Sequence, residues 1–121
     1  MRLVFSPLLA VGLGGALGTC GRVGLSLAAF NLIPDHAYLA TLLANIVGAG
    51  LIGYFAAQVF SPLRQAFLMT GFCGGFTTFS LFSLEVLTLA QERVSAALGY
   101  AGISLVLWMT AVWVGHRLAR R

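Results

Sequence analysis

The chain has 121 residues, of which 60% are hydrophobic and 8% charged, and its mean hydropathy is +0.97. So little polar surface cannot cover a water-soluble globule, and the solvent that this composition fits is lipid. The net charge of +4 comes from seven arginines and no lysine, placed mostly at the ends of apolar stretches rather than in one basic stripe, which excludes a nucleic-acid binder.

A transmembrane helix needs about 20 predominantly apolar residues. The chain therefore predicts an all-α membrane protein with four transmembrane helices in a single domain over 1–121. The first span reads as 3–27. Arg2, an apolar run and Leu17-Gly18-Thr19-Cys20 imitate a secretory or lipoprotein signal. Thr19 is a poor residue before a lipidated cysteine, Arg22 follows at once, and cleavage would remove a span, so the segment is expected to be retained. Asn31, Pro34, Asp35 and His36 form a polar turn. The second span reads as 37–60 and stops at Ser61-Pro62, because proline lacks the N–H that a continuing helix uses. Arg64 anchors the third span, 63–90. Gln91-Glu92-Arg93 turns the chain into the fourth, 95–115, closed by His116-Arg117 and an arginine tail.

Four spans put both termini on one side, with Arg2, Arg64, Arg117, Arg120 and Arg121, against Arg93 and Arg22 on the other. The positive-inside rule then places both termini in the cytoplasm. Glycines are grouped: Gly14 with Gly18, Gly71 with Gly75, and Gly48, Gly50 and Gly53 in the second span. Small residues let helices approach closely in lipid, and tight packing is the plain reading for most of them. Cys20 and Cys73 lie in apolar segments without CxxC spacing, so neither a zinc site nor a disulfide framework is expected.

The middle of the third span carries paired glycines, paired threonines, two serines and Glu85. A charged, unpaired glutamate near a helix centre costs roughly 2.5–3.5 kcal/mol on insertion scales, so this face turns inward. Gly74-Gly75 beside β-branched Thr77-Thr78 predicts a break over Gly74–Thr78. Backbone groups freed there are tolerated only inside protein or along a wet path. Phe79, Phe82 and Glu85 then repeat every three residues on one helical face, beside Ser80 and Ser83. Phenylalanines at this spacing usually fill a core or face lipid. A ring also has a positive edge, and presented to a polar groove it can solvate a small anion without the grip of a lysine. Tyr100 and Ser104, four apart, share a helical face as a polar rail.

Residues 71–85, Gly-Phe-Cys-Gly-Gly-Phe-Thr-Thr-Phe-Ser-Leu-Phe-Ser-Leu-Glu, resemble the signature of the fluoride channel family known as Fluc or CrcB. Gly14-Gly15 with Gly18 and Arg22, and Thr41-Leu42 with Asn45 and Gly48, match further pieces in order. The resemblance implies that Phe79 and Phe82 line a fluoride path, that Asn45 offers its amide to the anion, and that Thr41, Ser80, Tyr100 and Ser104 supply hydroxyls. It implies a structural Na+ at the dimer interface, held by the Gly74 and Thr77 carbonyls of two subunits. It makes Arg22 and Glu85 structural charges, and the protein a fluoride-specific channel that passively exports cytoplasmic fluoride across the inner membrane of a bacterium and gives fluoride resistance.

Because four short helices enclose little interior, a dimer of inverted subunits with two paths is expected. The resemblance allows a dual-topology homodimer, whereas the arginine bias suits a heterodimer with a paralogous subunit. Leu81 and Trp108 stand where the family commonly has small polar residues, which shortens the expected rail. Two other readings stay open. A small multidrug-type proton-coupled exporter needs an acidic residue in its first span, which is absent here, and a non-transporting assembly subunit would use the polar third span only to mate. No nucleophile, metal cluster or phosphate loop supports an enzyme.

Overall fold

A computed structural model describes residues 2–121, with side chains from Ser6 onward. The side chain of Arg2, one of the charges in the topology reading, lies outside the described residues. Nearly all of the described residues are helical, and four stretches among them are long and apolar enough to cross a membrane, which makes this a multi-pass membrane protein. Helix α1 covers Arg2–Leu32 and passes the Leu27 at which the sequence placed its end. A single 3-10 turn, Pro34–His36, leads into α2, Tyr38–Ala56. Ser61 caps the next helix by accepting a hydrogen bond from the Arg64 N–H, with Pro62 at the position where a missing N–H costs nothing.

That helix, α3 over 62–76, begins as one α turn at Pro62–Gln65, widens to a π-helix over Ala66–Cys73, and closes with an α turn at Gly74–Phe76. Thr77 and Thr78 are then extended, with ψ of 157° and 123°, and α4 starts at Phe79 and runs to Glu92. The third span is thus broken, but at the threonines. Gly74 and Gly75 remain helical, with no positive φ among the described residues. The glycines serve packing instead of the break, and the two β-branched residues take the extended conformation that suits them. Arg93, also extended, is the one residue between α4 and α5, Val94–Ala119.

Helices pack in pairs. In the first pair, α1 lies on α3 with glycine against glycine: a Cβ on Gly14 or Gly18 would collide with backbone of Phe67 or Phe72, and one on Gly75 with the Gly15 carbonyl. In the second, α2 lies on α5, where Gly53 faces the Val112 carbonyl and Gly115 the Gly50 carbonyl. Backbone contact of this kind provides the dispersion that replaces a hydrophobic drive inside lipid. The α4–α5 turn and contacts of α2 with α3 join the pairs. The broken segment sits between them, with Thr77 Cγ2 against Gly48 of α2.

Candidate functional site

The break is held from outside its own span. In an unbroken helix the Thr78 N–H would bond the Gly74 carbonyl and the Leu81 N–H the Thr77 carbonyl. Here the Thr78 N–H donates to Asn45 Oδ1 at 2.8 Å, and Leu81 N–H donates to Thr78 Oγ1 at 3.2 Å, which caps α4. Asn45 Nδ2 returns a bond to the Thr78 carbonyl at 2.9 Å. Asn45 is buried on α2, so this reciprocal pair replaces a missing strand or helix partner for an extended residue. The carbonyls of Gly74 and Thr77 consequently lose their helical donors. Gly74 is exposed, and a Cβ there would meet nothing within 4 Å.

Upstream, the Gly75 carbonyl accepts from Thr19 Oγ1 and from Arg22 Nε, each at 3.3 Å. Arg22 therefore pins the last turn of α3 to α1. Thr77 turns back on its own helix, with both its N–H and its hydroxyl on the Cys73 carbonyl at 2.9 Å.

Downstream, Phe82 is 5% exposed, and its ring meets Tyr100 at 5.6 Å and the indole of Trp108 at 4.7 Å, the latter edge-on at 70°. Phe79, whose ring centroid is 5.6 Å from that of Phe82, is 70% exposed on the outside of the chain. Asn45, Thr77, Thr78, Phe79 and Trp108 surround a cavity of about 220 Å³. Tyr100, Ser104 and Trp108 follow at four-residue steps along one face of α5. Ser104 is fully buried, and its hydroxyl, on the side of the Tyr100 hydroxyl one turn back, completes no hydrogen bond of good geometry.

Further along α4, Glu85 receives the hydroxyl of Thr41 on Oε1 and that of Tyr100 on Oε2, the latter at 2.7 Å. Thr41, 1% exposed, is thereby committed to a carboxylate. A second cavity, of about 540 Å³, has Arg22, Tyr38, Thr41, Leu81 and Glu85 on its walls. Ser80 is exposed, with its hydroxyl 3.3 Å from that of Thr78. The structure thus gathers Asn45, Phe79 and the Gly74 and Thr77 carbonyls at the break, and Thr41 and Tyr100 about Glu85, with Phe82 joining the two through its contacts with Phe79 and Tyr100. The roles of Thr78 and of the Gly75 carbonyl were not anticipated. Thr78, three residues before Leu81 and at the start of an apolar run, carries the sequence mark of a helix cap.

The fold and these groups define a multi-pass membrane protein whose buried polar side chains gather about a break in one span. A family model described as "CrcB-like protein, Camphor Resistance (CrcB)" matches residues 9–116, and the chain belongs to this family. It is 40% identical over 116 residues to "Fluoride-specific ion channel FluC 1" of Rhodopseudomonas palustris, covering 89% of this chain and 82% of that protein. It is 42% identical over 115 residues to "Fluoride-specific ion channel FluC 2" of Bacillus subtilis, covering 91% and 88%. A FluC of Paracoccus denitrificans is 42% identical over 116 residues, with 93% of each chain covered.

Proposed function

We propose that this protein is a fluoride channel, not an enzyme, through which cytoplasmic fluoride leaves down its electrochemical gradient and by which a bacterial cell resists fluoride. The names and extent of its relatives support the reading. The observation that carries it is the meeting of Phe82 with Tyr100, Trp108 and the neighbouring unbonded Ser104 hydroxyl beside the break. Hydroxyl and amide donors and ring edges can replace the water of a small anion piecemeal, and without a lysine in the chain they do not trap it.

A path along this face has Phe79 on the exterior of a single protomer, which favours a second copy to cover it. The dimer of inverted subunits supplies that cover and yields two paths in the inner membrane. Gly74 and Thr77 carbonyls, deprived of helical donors and partly on the open side of α3, suit a hard monovalent cation such as Na+. When bound there, Na+ would join the broken segments of two subunits as a structural ion, and the anion path itself would depend on this chain's own donors. Arg22 holds the Gly75 carbonyl in place, and Glu85 ties α4 to α2 and α5.

The test is fluoride-electrode efflux from liposomes containing the purified chain alone, with chloride as the comparison. Fluoride efflux with little chloride efflux is expected. Absence of fluoride efflux from well-folded protein, or equal passage of chloride, overturns the reading.

A further inference from the structure

Trp108 was expected to shorten the polar rail, because it replaces a small polar residue with a large apolar ring. Its surroundings point the other way. Among the described residues, two buried side-chain polar atoms have no hydrogen-bond partner, and they are the Ser104 hydroxyl and Trp108 Nε1. They stand four residues apart on one face of α5, with Ser104 midway between Tyr100 and Trp108, the two rings that Phe82 packs against.

Several helical hydroxyls here bond the carbonyl one turn back, as Ser83, Thr88 and Thr110 do at 2.8–2.9 Å. Ser104 has the same option and does not use it. A buried donor without a partner is unfavourable, and Trp108 walls the cavity that it shares with Asn45, Thr78 and Phe79, so an acceptor entering there would satisfy the indole N–H, with the Ser104 hydroxyl one helical turn away. An indole N–H is a donor only and carries no charge. It therefore discriminates for an acceptor and binds an anion without holding it as a cation would.

We propose that the Trp108 indole N–H donates to the permeating fluoride, with the Ser104 hydroxyl as its companion, so that Trp108 is a specificity-determining residue of this chain. The proposal rests on the channel reading, and two measurements keep their failures apart. The first is fluoride and chloride efflux of Trp108→Phe, which keeps a ring against Phe82 and removes the N–H. Fluoride efflux is expected to fall about tenfold or more, the factor expected for losing one hydrogen bond to an ion. The second needs no variant at position 108. The indole 1H–15N resonance of Trp108, assigned with Trp113→Phe, is followed during titration with sodium fluoride and with sodium chloride. Trp113 is exposed and lies under Arg117, away from the path.

A downfield shift in fluoride alone is expected. Wild-type efflux from Trp108→Phe, no shift in fluoride, or an equal shift in chloride overturns the proposal, since a packing role alone predicts these results. If Trp108→Phe does not fold, the resonance decides. If the unaltered chain passes no fluoride, the channel reading fails by that result, and the resonance still decides whether the indole binds the ion.

Discussion

Asn45 binds both backbone groups of Thr78, donating to its carbonyl at 2.9 Å and accepting from its N–H at 2.8 Å. One amide on α2 thereby supplies what a helix would otherwise give this residue, and the pore-facing role assigned to Asn45 by resemblance has to share the side chain with a clamp. Asn45→Asp retains the acceptor for the N–H but sets an oxygen against the carbonyl and adds a charge that repels an anion. Fluoride efflux is expected to drop at least about a hundredfold, with a stability loss of about 1–3 kcal/mol for the unpaired carbonyl. Efflux and thermal unfolding in detergent check both, and unchanged values in both would remove Asn45 from the clamp and the path.

Phe82→Ile and Phe79→Ile separate path from packing. Phe82 is buried against two rings, so its replacement costs about 1–3 kcal/mol as well as conduction, whereas Phe79 is exposed on the protomer and its replacement leaves monomer packing nearly intact. Both variants are expected to lose fluoride efflux while still assembling as dimers. Efflux at the wild-type rate from either one removes that ring from the path.

The glycine contacts make a sharper prediction about stability. A Cβ at Gly75 would overlap the Gly15 carbonyl, and backbone cannot swing aside as a long side chain does. Gly75→Ala is expected to destabilise the protein by about 1–3 kcal/mol through helix separation. Gly12→Ala, with nothing within 4 Å of the added carbon, is expected to be neutral or slightly stabilising. Guanidinium or detergent-mixture unfolding of the two variants checks the contrast, and equal stabilities would contradict the packing described.

Sodium supplies a test of the carbonyl site. Exchange into a large organic cation should weaken the proposed dimer in light scattering, and lithium or potassium should restore it less well than sodium. A dimer of the same strength in every cation would leave Gly74 and Thr77 without an ion.

The membrane class and the four helical stretches were legible because apolar runs and the breakers Pro34, Ser61-Pro62 and Gln91-Arg93 act locally. The interruption of the third span within Gly74–Thr78 was legible too, although not that it falls on the two threonines alone. Glycine is permissive, and Gly74-Gly75 suggested the break, yet close contact with α1 is what position 75 requires. The π-helical turns of Ala66–Cys73 leave no mark in residue type. Partners of Arg22 and Glu85 were illegible because they lie 53, 44 and 15 residues away along the chain and meet only after packing. The spare donor of Trp108 was hidden for the same reason: an indole reads as bulk until its neighbours are known.

Arg93 has a consequence for engineering. As the lone spacer between α4 and α5, it forms a tether of about 3.8 Å per residue step that fixes how Phe82 and Tyr100 line up across the hairpin. Affinity tags, fluorophore loops or fused proteins inserted here would let the two helices slide past each other, so such additions are better tolerated in the Ala57–Phe60 stretch, where the chain already runs without helical commitment.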